Sequence, residues 1–373
     1  MKTLHLGLEW FPERAGGLPR YFHDVMRAAP PHFGFEGLVL GSERIAEETG
    51  GRVEAFARSE DGFPTKMSGL RRTMRRRLAA TDPDVVVSHF ALFALPVLDM
   101  INRPHVVHFQ GPWAAESAVE GQDSLRVRIK RMVETAVYRR AGSAIVLSEA
   151  FATILTRDYG VAPERIQVIP GGVDVVRFDV PQTRSQARDH LRWPNDRPIL
   201  LAVRRLVRRM GLDVLIEAMA AVVRMHPDAL LLIAGRGPMA KDLQTLIDER
   251  GLGDHVRLLG FVPDDDLPIA YRAADLSVVP TQALEGFGLI AVESLAAGTP
   301  AAVTPVGGLP EIVGPLSPDL VFENASAAGI ADGILRLLQP GGAPTASACR
   351  AHAAGFDWGV IIQRLAVAYG ASR

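Results

Sequence analysis

The chain has 373 residues, enough for two domains of ordinary size, each with its own core. Basic and acidic residues nearly balance, 41 against 42, so the cationic excess that a nucleic-acid partner calls for is missing and none is expected. The single Cys349 excludes an internal disulfide and a cysteine-based metal knot. Met1 to Leu8 is too short an apolar run for a secretory leader, and no stretch approaches the ~20 apolar residues that span a bilayer, so the expectation is a soluble, cytoplasmic protein.

In chain order, residues Leu4–Leu8 read as a first strand. The loop behind it, Glu9-Trp-Phe-Pro-Glu-Arg-Ala-Gly-Gly-Leu-Pro-Arg20, opens a helix. Gly16 and Gly17 let the backbone approach a ligand closely and leave the helix N-terminus open to an anion. Arg20 reads as an anion contact or as a helix-surface charge. Further short apolar runs at Gly37–Leu40, Val85–Ser88, His105–Phe109 and Ala144–Leu147 alternate with amphipathic segments, as in a parallel sheet covered on both faces. Between them, Leu70, Met74 and Leu78 line one helical face amid the Arg71–Arg77 cluster. That face either packs on the sheet or offers peripheral contact to an anionic membrane, at its inner face, or to a polyanionic acceptor. His89 ends one strand and is either an acceptor-side residue or a strand-end histidine. His108 and Gln110 share a face at the end of another, and His108 also reads as an ordinary sheet histidine.

Arg165-Ile-Gln-Val-Ile-Pro-Gly-Gly-Val-Asp174 closes the first half. The polar, proline-bearing stretch from Pro181 to Arg197 marks a hinge. The expected domains are 1–180 and 181–355, with a terminal helix over 356–373. Strands of the second half are expected at Ile199–Val203, Leu230–Ala234, Val256–Leu259, Leu276–Val279 and Ala301–Val303. Behind the first of these come Arg205, Arg208, Arg209 and Met210; behind the second, Gly235-Arg-Gly-Pro238; behind the third, Gly260-Phe-Val262. Asp264-Asp-Asp266 has the look of a metal-holding Asp-x-Asp, but it stands before a helix and reads as a capping cluster, so no metal is expected.

Glu285-Gly-Phe-Gly-Leu-Ile-Ala-Val-Glu293 is the most informative stretch. Glu285 stands in a glycine-broken loop and Glu293 in the helix that follows, which Gly298-Thr-Pro300 stops. A helix opening behind Gly286, Phe287 and Gly288 at Leu289 aims backbone N–H groups outward and suits a diphosphate. Glu293 then lies roughly 6–9 Å deeper along the axis, at the level of a ribose. A bare pair of glutamates at this spacing also arises at any helix start, so the surrounding order has to decide.

That order is Pro280-Thr281 before the pair, then Gly298-Thr-Pro300 and Val306-Gly-Gly-Leu-Pro-Glu311 after it. It resembles the E-x7-E segment of retaining glycosyltransferases of family 4, the glycosyl transferases group 1. The resemblance implies an α/β GT-B fold: two doubly wound Rossmann-like domains facing across a cleft, with the C-terminal helix crossing back to the N-terminal one. It implies a metal-independent transfer of a hexosyl group from a nucleotide diphosphate sugar to a hydroxyl acceptor, with no cofactor. The mechanism is front-face substitution, in which the departing phosphate takes the acceptor's proton. Carried over by position, Glu285 would bind donor hexose hydroxyls and Glu293 the ribose. Arg205 would hold the phosphates, Val262 would face the base through its main chain, and Gly16, Gly17 and Gln110 would form the facing wall. Two positions depart from the pattern. Met210 stands in place of a phosphate-binding lysine, for which Arg208 or Arg209 would have to substitute. Gln110 replaces a histidine, and an amide bonds a hydroxyl but performs no acid–base chemistry. These departures keep open a catalytically impaired nucleotide-sugar-binding subunit, beside an epimerase on the same fold. A phosphorylase would need a suitably placed lysine for pyridoxal phosphate, which the four lysines do not provide.

Overall fold

A computed structural model describes residues 1–372. The chain divides into two compact units, one made of Met1–Gly172 plus the terminal segment from Trp358, the other of Val173–Asp357. The chain thus leaves the first unit at Gly172 and returns at Trp358, compared with the bounds of 180 and 356 taken from the sequence.

The first unit holds seven parallel strands: β1 (Thr3–Glu9), β2 (Phe35–Leu40), β3 (Val53–Ala57), β4 (Val85–Ser88), β5 (His105–Phe109), β6 (Ser143–Val146) and β7 (Ile166–Val168). Their order is β3-β2-β1-β4-β5-β6-β7, so the winding reverses between β1 and β4. Strands β4 and β5 are buried along their whole length, which is why they read as unbroken apolar runs. The two edge strands were not legible in the same way. Glu54 interrupts β3, which is only partly buried, and β7 is nowhere fully buried.

The Phe63–Thr81 helix shows where its apolar stripe goes. Leu70 and Met74 are fully buried beside Leu4, Leu6, Phe56 and Val97. Three of its five arginines are tied down: Arg71 to Asp99 at 2.7 Å, Arg77 to Glu54 at 3.0 Å and to Glu36 at 3.3 Å, and Arg76 to Glu54. The stripe packs on the sheet, so the membrane-facing alternative for the Arg71–Arg77 segment is set aside.

The terminal helix, Trp358–Ala371, lies on the other face of the same sheet. Ile361, Ile362, Leu365 and Tyr369 are buried among Tyr21, Phe22, Val25 and Met26 of the Gly17–Ala28 helix. Each such side chain contributes ~1.5–3 kcal/mol of burial. The Trp358 ring occupies the space beside Gly172, where a Cβ would stand 2.3 Å from the indole; no larger residue fits there.

The second unit holds β8 (Ile199–Val203), β9 (Leu230–Ala234), β10 (Val256–Gly260), β11 (Leu276–Val279) and β12 (Ala301–Val303), all parallel, in the order β10-β9-β8-β11-β12. Here the winding reverses between β8 and β11. In open sheets of this kind ligands bind beyond the strand carboxyl ends, at the reversal.

Candidate functional site

In the second unit the loops that follow β8, β9, β10, β11 and β12 carry the residues singled out from the sequence. Their backbones are laid tightly on one another. The Arg204 amide donates to the Ala234 carbonyl at 2.8 Å, and the Leu206 amide to the Arg236 carbonyl at 3.0 Å. Gly235 has φ 146°, and a Cβ there would stand 1.7 Å from the Arg204 carbonyl oxygen. The sequence Gly235-Arg-Gly-Pro238 is therefore a packing requirement of the loop after β8.

At the centre, the Arg204 guanidinium donates to Glu285 Oε2 at 2.5 Å and to Thr281 Oγ1. The pair is largely shielded, with side-chain exposures of 7% and 14%. Arg204 Nε is buried with no hydrogen-bond partner. Arg205, the position carried over from the resemblance, is exposed, as is Arg208. The arginine that reaches the Glu285 carboxylate is the neighbour that sequence reasoning passed over. Arg209 is buried and donates to the Leu284 carbonyl at 3.1 Å, while Met210 is buried in the unit.

The Glu285 loop is constrained on both sides. Leu284 has φ 57°, an unusual left-handed conformation for a bulky residue, of the kind that collects at functional sites. Arg209 bonds its carbonyl. On the far side the Gly308 amide donates to the Glu285 carbonyl at 3.0 Å, and a Cβ on Gly307 would lie 1.9 Å from that same oxygen. Phe287 is buried; Gly288, at φ 85°, precedes the Leu289–Ala296 helix and offers no side-chain cap. Glu293 lies in that helix, 7% exposed, and accepts from the Tyr271 hydroxyl at 3.1 Å. Val262 is half-buried. Beside it Phe261 is exposed beneath the Arg236 guanidinium, 5.2 Å from the ring centroid, a flat cationic platform not read from the sequence.

The Asp264–Asp266 cluster corrects one expectation. Asp266 precedes the Leu267–Ala273 helix but makes no side-chain capping bond. Asp264 pairs instead with Arg177 at 2.7 Å, and Asp266 approaches His190 at 3.3 Å. Among the described residues no group of three or more His, Cys, Asp or Glu side chains is placed to hold a metal.

In the first unit Gly16, φ 152°, precedes the Gly17–Ala28 helix without a side-chain cap, and a Cβ on Gly17 would meet open space. Arg20 lies over the Phe11 ring at 4.5 Å and within 3.8 Å of Asp24. His89 and His108, expected on the acceptor side, are both buried. Their rings stack at 4.3 Å. His108 sits between two hydroxyls, Tyr21 at 3.3 Å and Tyr369 of the terminal helix at 2.7 Å. It is a satisfied sheet histidine. A chain runs from Gln110 Nε2 to His89 Nδ1 at 3.3 Å, from His89 Nε2 to His5 Nδ1 at 3.1 Å, and from His5 Nε2 to Thr3 Oγ1 at 2.9 Å. With Gln110 donating, each imidazole is neutral, accepts on Nδ1 and donates from Nε2. Burial, and then the neighbouring histidine charges, hold His5 and His89 well below the usual range; burial pushes His108 down to about 3. The histidines therefore act from behind, orienting the amide of the half-buried Gln110.

A second support for that segment is Glu134, which is fully buried. Its Oε2 accepts from the Tyr159 hydroxyl at 2.9 Å and from the Ala114 amide at 3.1 Å, fastening the Trp113–Val119 helix that begins just beyond Gln110. Burial raises its carboxyl to about 7, against the opposing pull of the Tyr159 hydrogen bond. Nothing in the sequence distinguished it from the surface charges of its helix.

Two doubly wound units, each with its candidate residues on the loops at strand carboxyl ends, place the chain in the GT-B class of α/β proteins. Residues 15–177 match the glycosyltransferase family 4 model and residues 183–354 the glycosyl transferases group 1 model. The chain is 34% identical, over 264 residues, to a D-inositol 3-phosphate glycosyltransferase of Catenulispora acidiphila, covering 68% of this chain and 63% of that protein's length. It shares its fold with sucrose-phosphate synthase from Thermosynechococcus elongatus (TM-score 0.80, 24% identity, 100% and 99% of the two chains covered). It likewise shares it with Anabaena HepE, solved in complex with UDP (TM-score 0.80, 22% identity, both chains covered in full). The protein is a member of glycosyltransferase family 4, the glycosyl transferases group 1.

Proposed function

We propose that the protein transfers a hexosyl-type group from a nucleoside diphosphate sugar to a hydroxyl acceptor, with retention of configuration and without a metal. The observation that carries this reading is the arrangement of Glu285 and Glu293 around an uncapped helix start, with Arg204 bonded to the first and Tyr271 to the second. The amides at Gly288 and Leu289 take the diphosphate, Glu293 the ribose and Glu285 the hexose hydroxyls. Arg205 and Arg209 supply cationic charge near the phosphates, and Arg204 holds the Glu285 carboxylate in place. The resemblance alone assigns Gly16, Gly17 and Gln110 to donor binding and Arg20 to acceptor binding. His89 and His108 act only as supports. Phe261 and the main chain at Val262 meet the base.

With Gln110 in place of an acid or base, the chemistry falls to positioning and charge stabilisation, the departing phosphate oxygen taking the acceptor's proton. The relatives act on an inositol phosphate, by name, or belong to a structure solved with UDP. We carry over a polar hydroxyl acceptor and a nucleoside diphosphate donor, on the cytoplasmic side.

The test is incubation with UDP-, GDP- and ADP-sugars and small polyol acceptors in excess chelator, with the product's anomeric proton coupling read by NMR. A product of unchanged anomeric configuration formed in chelator supports the reading. An inverted product, or turnover restored only by added divalent cation, overturns the mechanism. Met210, buried where the family pattern has a lysine, is the specific observation behind a second reading, an impaired nucleotide-sugar-binding subunit. Binding without turnover on any acceptor would favour it.

A further inference from the structure

The Ser124–Arg140 helix of the first unit carries an uncovered apolar face. Leu125, Ile129 and Met132 are 63%, 53% and 66% exposed, and Ala136 is exposed in line with them. Positions 125, 129, 132 and 136 fall on one stripe at about 100° per residue. Arg128 and Arg139 border the stripe on one side, Arg126 and Arg140 on the other, and all four are exposed. The opposite face is the packed one: Val137, Tyr138 and Glu134 are buried there. Glu134 is the sole acid of the helix, so its solvent face carries arginines and no carboxylate. Lys130 and Arg131 are turned aside, over the rings of Trp113 and Tyr159. At the amino end, Asp123 accepts the Arg126 amide at 3.4 Å, and Val119, 40% exposed, ends the preceding helix.

We propose that this face docks on an anionic lipid surface, with Leu125, Ile129 and Met132 entering the headgroup–acyl boundary and the four arginines meeting lipid phosphates. An apolar stripe bordered by cations, with no exposed acid between Ser124 and Arg140, is the pattern of an interfacial helix. Charge decides against a second copy of the chain as occupant. A two-fold contact would set arginine against arginine across the stripe, and four side chains fall well short of the ~800 Å² per partner of a stable interface. The Phe63–Thr81 helix, equally rich in arginine, differs in the feature that matters: the Leu70 and Met74 stripe beside its arginines is buried, and three of its five arginines, Arg71, Arg76 and Arg77, are paired. This inference is independent of the glycosyl-transfer reading, because it concerns where the protein sits and requires no turnover.

The test is co-sedimentation of the full chain with vesicles of phosphatidylcholine alone, or with about one third phosphatidylglycerol, at low and high salt. The expected result is binding to the anionic vesicles only, released by salt. Ile129→Glu with Met132→Glu abolishes it, and each of Arg126→Glu and Arg128→Glu weakens it by ~10-fold. Arg72→Glu with Arg75→Glu on the other helix leaves it intact. Circular dichroism checks that each variant is folded, and the salt and lipid dependence of the unaltered chain is a readout that needs no variant. Absence of binding, equal binding to neutral vesicles, or binding indifferent to Ile129→Glu with Met132→Glu would overturn the proposal. So would a concentration-dependent dimer that those substitutions dissociate, which would make the face a contact between copies.

Discussion

Arg204 and Glu285 come from loops after different strands, β8 and β11, and meet in a bond of 2.5 Å that is almost closed to solvent. A carboxylate meant to accept sugar hydroxyls has to be held in one rotamer, and a largely shielded guanidinium bonded to it does that. Breaking such a pair from one side leaves an uncompensated charge. Arg204→Ala is therefore expected to cost ~3 kcal/mol in urea unfolding and to lower kcat at least ~100-fold. Nucleoside diphosphate affinity should stay within a few-fold, because the proposed diphosphate and ribose contacts lie at Gly288, Leu289 and Glu293 instead. Equal losses in turnover and in nucleotide binding would place Arg204 on the phosphates instead.

Gly307 tests the loop by geometry alone. With φ 58° and only 1.9 Å for a Cβ before the Glu285 carbonyl oxygen, Gly307→Ala must push the Glu285 backbone aside. The expected outcome is a folded protein whose kcat falls by ~100-fold, from a displacement of about an ångström. Activity at the unaltered level would mean that the Glu285 loop is not part of the site.

The histidine cluster predicts the acid limb of stability. Held neutral by burial in the folded state, His5, His89 and His108 take protons in the unfolded chain below about 6.5. Buried His105, pushed down to about 4 by burial and then by Arg140, behaves alike. The unfolded state binds more protons, so this stability is complete above pH 6.5 and is lost progressively toward about pH 4. With two or more histidines engaged, the slope of unfolding free energy exceeds ~2 kcal/mol per pH unit near pH 5. Urea titrations across that range measure it; a flat profile would mean that the histidines are solvated.

Glu134 acts with the opposite sign. Its folded carboxyl, raised to about 7, holds a proton that the unfolded chain has lost above about 4.5. Its contribution is present below 4.5 and is lost as pH rises to about 7, on the order of 3 kcal/mol across that window. Glu134→Gln keeps the shape without the titration, so the variant gains stability over wild type as pH rises from 4.5 to 7. A difference that does not change with pH would refute the assignment.

Strands β8, β9, β11 and β12 were legible because both faces of each are buried along nearly the whole length, which leaves a plain apolar run. The edge strands β3 and β7 were not, since half-exposed residues such as Glu54 and Gln167 break the run. The E-x7-E segment located the Glu285 loop; Gly307 and Gly308 turn out to serve its backbone packing, and Gly235 that of the loop after β8. Arg204 was missed because two adjacent arginines look alike in sequence, and the turn after β8 decides which one faces inward. Tyr271, Tyr369 and Glu134 were missed for a related reason. Their partners lie far along the chain, and no spacing rule reports a contact made by tertiary packing.

The most direct measurement is calorimetric titration of UDP, GDP and ADP into wild type and Glu293→Gln, in chelator. The account predicts that one of the three binds wild type without metal and that Glu293→Gln weakens it by ~10-fold or more, through loss of a charged acceptor for the ribose. No binding by any of them, or equal binding to both proteins, would contradict the placement of the donor on the Leu289–Ala296 helix.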